Sequence, residues 1–284
     1  MKISARVFVL DLLSTVRRGS VPVRALVEGG ALFGLSENNV RVSLQKLCAH
    51  ERVARDAPGR YRLSGRSSVL TEQLRRWRRL EEQHRKWRGA WVAVHQPKQG
   101  SGPPRRRRER ALILLGFREL DTGVFLRPDN LRGGVPALRA RVVALAGADQ
   151  PSTLVYGVSE FDPVTDRRAR ELWEVKALER GYRRLRDELA RSRARLPQIG
   201  SEAAMVETFA LGGQAIRCLI MDPLLPDAIL DPTGRRELLE ATRAYDELGR
   251  WTWAPFLERH GVSHRRAVQG WRATPGTVPG ATMG

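Results

Sequence analysis

Residues 32–47 read Leu32-Phe33-Gly34-Leu35-Ser36-Glu37-Asn38-Asn39-Val40-Arg41-Val42-Ser43-Leu44-Gln45-Lys46-Leu47. A glycine stands in a short turn, and Ser36 follows where its hydroxyl can accept from a free backbone N–H of a first helical turn. Val40, Leu44 and Leu47 recur at helical spacing and face a core. The other face holds Asn38, Asn39, Arg41, Val42, Gln45 and Lys46, mostly side chains that reach base edges and phosphates in a major groove. This is the pattern of the second helix of a helix-turn-helix. An ordinary capped surface helix has the same pattern, so the flanks decide between them.

Upstream, Val7, Phe8, Leu10, Leu12 and Leu13 supply an apolar first helix. Val21 to Val27, with Pro22 near its start and Gly29-Gly30 at its end, reads as a short second helix. Downstream, Arg52–Arg55 and Arg60–Leu63 flank Asp56-Ala57-Pro58-Gly59, a hairpin around a Pro-Gly turn. Three helices and a basic hairpin make a winged helix over residues 1–68. Arg55, Arg60 and Arg62 of the wing are expected on phosphate or in a minor groove.

The whole chain of 284 residues carries a formal charge of +19. Residues 1–89 hold 19 Lys/Arg against 8 Asp/Glu, net +11, which suits a polyanionic partner. An Arg-rich composition throughout contributes to the same excess. Cys48 and Cys218 are expected as small buried residues in a reducing compartment. No apolar run is expected to approach the roughly 20 residues that cross a bilayer, and no signal-peptide pattern is read at the start of the sequence. A cytoplasmic protein with no membrane partner is expected.

Residues 69–86 are expected to form an Arg-rich connector helix with Leu70, Leu74, Trp77 and Leu80 on one side. From Trp87 a strand begins. A helix through Leu115, a hairpin around Thr122-Gly123, a helix at 136–146 and a strand at Thr153–Val158 follow. That order, βαββαβ over 87–161, is a ferredoxin-like split unit. Residues 162–273 read as a helical C-terminal domain. Leu172, Val175, Leu178, Tyr182, Leu185 and Leu189 repeat at helical spacing, with Asp166 as a cap. A second helix runs over about Glu202–Met221, and a third over about Gly234–Leu248. Residues 274–284 are Gly- and Pro-rich and read as a flexible tail.

On these residues the chain resembles the PaaX-type repressors of phenylacetate degradation in bacteria. The matching segments are Phe33–Ser36 with Val40-Arg41 and Leu44–Leu47, Trp87-Arg88-Gly89-Ala90-Trp91, Leu115–Phe117 with Leu120–Pro128, Ala169–Val175 with Tyr182, and Asp222–Pro226. The resemblance implies a multidomain α+β protein: a winged helix-turn-helix, a ferredoxin-like (Cas2-like) middle domain and a helical C-domain. It also implies a homodimer that represses from a double-stranded DNA operator and is released by a small-molecule effector of the CoA-thioester class. Ile229–Gly234 is shorter than the family's pattern there and lacks its Trp, and His95-Gln96-Pro97 ends the first central strand. These departures bear on the effector, not on the fold.

An acyl-CoA needs cations for its phosphates. Arg105, Arg106, Arg107 and Arg108 are the densest cluster, and a solvated face explains them equally. Trp173 and Tyr182 are aromatic candidates for the acyl group, though both lie on an amphipathic helix. No cofactor and no catalytic role are expected. Asp121-Thr122-Gly123 is read as a hairpin turn, and His260 with His264 lack further metal ligands. Two alternatives stay open: a metal-dependent nuclease in the middle domain, disfavoured by the missing strand-end Asp, and an architectural DNA binder without effector.

Overall fold

A computed structural model describes residues 3–16, 19–64, 77–96, 103–146 and 153–262, with the backbone alone at 103–105, 107 and 146. The fold is α+β, with two antiparallel sheets set among helices.

Helix α1 spans Ala5–Thr15, capped by Ser4, whose Oγ accepts from Val7 N at 3.4 Å. Strand β1 (Val21–Pro22) leads into α2 (Val23–Ala31), and α3 is Glu37–Ala49. Strands β2 (Val53–Ala57) and β3 (Arg60–Leu63) form the hairpin, and β1 adds to β3 in the order β1-β3-β2.

Two expectations change here. Val21 and Pro22 are strand, not helix. Pro22 sits extended at φ −63°, ψ 144°, and Val23 N is held by Gly59 O at 2.8 Å, so helix starts one residue after the proline. Gly29 and Gly30 do not end α2. A Cβ at Gly30 would lie 2.9 Å from Val40 Cγ2, and one at Gly29 3.1 Å from Phe8. The glycines therefore let α1 and α3 approach α2, and the helix runs on to Ala31.

The core of this part contains Phe8, Leu12, Leu26, Val40, Leu44 and Leu47. It is completed from far along the chain by Met205, Trp253, Phe256 and Leu257.

The described part of the expected connector helix is not α-helical. Trp77–Arg79 and Glu81–Gln83 are 3₁₀ turns, and the rest of the expected helix, 69–76, lies outside the described residues. Tertiary hydrogen bonds outcompete helix: Arg85 N donates to Asn130 O and Arg132 N to Gln83 O, each at 2.8 Å. Trp77 and Leu80 are nevertheless buried, as their spacing predicts.

The second sheet comprises β4 (Trp91–His95), β5 (Arg118–Asp121), β6 (Val124–Pro128) and β7 (Leu154–Val158), in the order β5-β6-β4-β7 with every neighbouring pair antiparallel. Helices α4 (Pro103–Leu114) and α5 (Gly134–Ala146) make the crossovers and pack on each other. Leu112, Leu138 and Val142 share a core with Val92, Val94 and Leu126. Asp121-Thr122-Gly123 is the turn of the β5–β6 hairpin, as read.

The C-terminal helices are α6 (Pro163–Arg170), α7 (Val175–Arg195), α8 (Ser201–Ile220) and α9 (Thr233–Arg259). The cap of α6 is Asp162, which accepts from Val164 N and Thr165 N at 2.9 and 3.0 Å. Asp166, the expected cap, instead accepts from Trp91 Nε1 at 3.2 Å and Arg170 Nε at 2.6 Å. Helix α9 continues well past Leu248, because Trp253, Phe256 and Leu257 gain burial in the N-terminal core. Contrary to expectation, α8 is long and apolar enough to cross a membrane by length and composition. Its buried face, including Thr208, Gly212, Ala215 and Leu219, packs with α7 and α9. The expected flexible tail, 274–284, lies outside the described residues.

Candidate nucleic-acid interface

Helix α3 begins as its sequence demands. Ser36 Oγ accepts from Asn39 N at 3.2 Å, and Val40, Leu44 and Leu47 are buried. That orientation leaves Ser36, Asn38, Asn39, Arg41, Val42, Gln45 and Lys46 exposed together along the outer side. Arg41 pairs with Glu37 at 2.6 Å, one turn earlier and mostly in solvent. Such surface pairs contribute about 0–1 kcal/mol, so a phosphate or base edge can displace the carboxylate.

The hairpin stands beside the C-terminal half of α3. An open groove of about 990 Å³ runs between them, lined by Gln45 and Cys48 from the helix and by Arg55, Tyr61 and Arg62 from the strands. Arg55 lies over the Tyr61 ring, 5.8 Å from its centroid, and a hydrogen bond to the Tyr61 hydroxyl raises its pKa further. Arg62 pairs with Asp56 at 3.1 Å, both about two-fifths exposed. These two arginines are open to an anion.

Arg60 is different. Its Nε donates to Ser20 Oγ at 3.0 Å and its Nη2 to Ser20 O at 2.7 Å. Those bonds tie the entry to β1 against β3, so the expected phosphate contact is corrected to a structural anchor. The partner is forty residues distant, which is why the hairpin sequence alone could not separate Arg60 from its neighbours.

The described effector candidates differ in exposure. Trp173 is buried, donates to Gly116 O at 3.3 Å and stacks on Trp91 with centroids 6.3 Å apart. Tyr182 is buried and donates to Asp222 at 2.5 Å. Both side chains belong to the buried core cluster, as their place in an amphipathic pattern allows. In α4, Arg106 is exposed and Arg108 is buried, so the four arginines do not present one uniform face; the side chains of Arg105 and Arg107 lie outside the described residues.

Cys48 and Cys218 are free thiols, half-buried rather than fully buried, and burial pushes the Cys218 pKa up to about 11. His260 lies 3.0 Å from Glu28, linking α9 to α2, and His264 is outside the described residues. Among the described residues no three His, Cys, Asp or Glu side chains converge as metal ligands.

Sequence reasoning missed a buried polar joint at the second sheet. Arg127 is buried on β6 and donates to the carbonyls of Leu115, Pro128 and Pro223 and to Asn130 Oδ1. Burial lowers its pKa to about 9. Asn130 Nδ2 in turn donates to Leu224 O at 2.6 Å, holding Leu224 at φ +53°. A charged residue in an otherwise apolar strand was the available signal.

No family model and no curated protein matches the chain. Its fold is similar to that of the uncharacterized protein Rv0674 from Mycobacterium tuberculosis, with a TM-score of 0.56 at 24% identity over 89% of this chain and 98% of that one. That likeness concerns the fold alone.

Proposed function

We propose that the chain is a DNA-binding transcriptional regulator, a repressor working in the cytoplasm, whose residues 1–68 are a winged helix-turn-helix. In this reading α3 enters the major groove and the β2–β3 wing meets the flanking backbone. Residues 87–161 are a ferredoxin-like unit, a reading supported by the β5-β6-β4-β7 antiparallel order with two helical crossovers. Residues 162–273 are the helical C-terminal domain. A homodimer on a palindromic operator, released by a CoA-thioester effector, completes the proposal; the motif resemblance supports it.

One observation carries the reading. The exposed side of α3, with Asn38, Arg41, Val42 and Gln45, continues into a groove whose other wall offers Arg55 and Arg62. Side chains that pair with bases thus lie next to side chains that pair with phosphates. The test is selection of duplexes from a random library by the full chain, followed by footprinting. An imperfect palindrome with half-sites one or more helical turns apart is expected. Uniform, sequence-independent protection would reject the proposal.

A further inference from the structure

Helix α3 turns one large apolar side chain to solvent, among polar neighbours. Val42 stands two positions from Val40 and two from Leu44, and two steps along a helix rotate a side chain by about 200°. Val40 and Leu44 are buried, so Val42 lies nearly opposite the core and keeps 36% of its surface in solvent. Asn38 and Gln45 are its neighbours at one-turn spacing on the same exposed side. Arg41 is drawn to Glu37, 2.6 Å away on the flank turned from Val42, and does not cover it. The wing leaves Val42 open as well, because its groove meets α3 at Gln45 and Cys48.

We propose that Val42 is a specificity-determining residue that packs on the C5-methyl group of a thymine in the major groove, between the bases met by Asn38 and Gln45. The inference rests on the DNA-binding reading above and names what one position of α3 selects. Along the major-groove edge of the base pairs every other distinguishing group is a hydrogen-bond donor or acceptor, and the thymine methyl is the apolar one. Valine has no hydrogen bond to give. Set against a base donor or acceptor, it removes water and leaves that group unpaired, which is unfavourable. Set against the methyl, both surfaces leave water together. A β-branched side chain also holds essentially one χ1 rotamer in a helix, so little freedom is lost on contact. Burial of one methyl corresponds to about fourfold in affinity. On a helix that meets no base, an isolated exposed valine has no such role, and the two situations differ in one measurable response.

The experiment takes the duplex selected by the full chain and replaces the thymines of one protected half-site, one at a time, by deoxyuridine. This removes the methyl and keeps the base pair. Fluorescence anisotropy measures the affinity of the wild-type chain and of Val42→Ala, an exposed change to a better helix former whose folding is checked by thermal denaturation. One thymine is expected at which uracil weakens the wild type about fourfold and leaves Val42→Ala within about 1.5-fold of its own affinity for the thymine duplex. Uracil without effect at every thymine, or with equal effect on both proteins, overturns the role of Val42, while the selected duplex keeps the DNA-binding reading standing. Failure to select any duplex overturns that reading and this role together.

Discussion

Tyr182 of α7 donates its hydroxyl to Asp222 Oδ2 at 2.5 Å inside the protein, and Arg235 of α9 faces the same carboxylate from 3.8 Å. The side chains of Asp222 and Arg235 have no solvent exposure. Burial pushes the Asp222 pKa up while Arg235 and the Tyr182 hydroxyl pull it down. Arg235 also reaches Glu81 at 3.1 Å, so the joint ties two helices to the 3₁₀ turns.

Removal of this carboxylate should be severe. Asp222→Ala leaves Arg235 short of its fully buried partner, and the expected loss is about 3–5 kcal/mol. Tyr182→Phe removes one donor from a buried acceptor and should cost about 1–3 kcal/mol. Urea unfolding monitored by circular dichroism measures both. A loss below about 1 kcal/mol for Asp222→Ala would show that the joint contributes little to stability.

Discrimination between operator and random duplex should depend on α3. Arg41→Ala and Gln45→Ala are each expected to lose about 1–3 kcal/mol of that difference, the worth of a bidentate base contact. Both side chains are exposed, so folding should be little affected. Fluorescence anisotropy with the selected duplex and a scrambled one checks this, and unchanged operator affinity in both variants would dismiss α3 as the reader.

The wing should divide by function. Arg62→Ala is expected to weaken all duplexes and to reduce the slope of log K against log salt by roughly one. Arg60→Ala should instead destabilise the fold by about 1–3 kcal/mol, because Ser20 loses a part-buried partner. Salt titrations and unfolding curves on the two variants should therefore give opposite outcomes.

Stability should respond to pH through two groups with opposite sign. His84 has its pKa lowered from 6.5 to about 4, mainly by burial and next by Arg235. The unfolded chain binds the proton first, so this contribution is present above pH 6.5 and is lost as pH falls towards 4. Asp11 has its pKa raised from 3.8 to about 6, so its contribution is present below 3.8 and is lost as pH rises through 6. Unfolding free energies of wild type minus His84→Gln should fall on acidification across this window. Those of wild type minus Asp11→Asn should fall on alkalinisation. A flat difference for either variant removes that group from the account.

What the sequence by itself determined is local. Ser36 followed by Val40, Leu44 and Leu47 specifies a capped helix and its buried side, because both signals act within four residues along one helix. The Asp56–Gly59 hairpin and the Thr122-Gly123 turn were legible for the same reason: turn chemistry is carried by the turn residues themselves. Tertiary structure decided the rest. Gly29 and Gly30 look like a helix stop until Phe8 and Val40 press against them. Residues 83–85 lose their helix to backbone partners at 130–132. Arg60 resembles Arg62 until Ser20 claims it, and Trp173 and Tyr182 become core only once Gly116 and Asp222 meet them. Each of these outcomes depends on a hydrogen bond or close contact with a residue distant in the chain, and such a partner leaves no periodic mark in the local sequence.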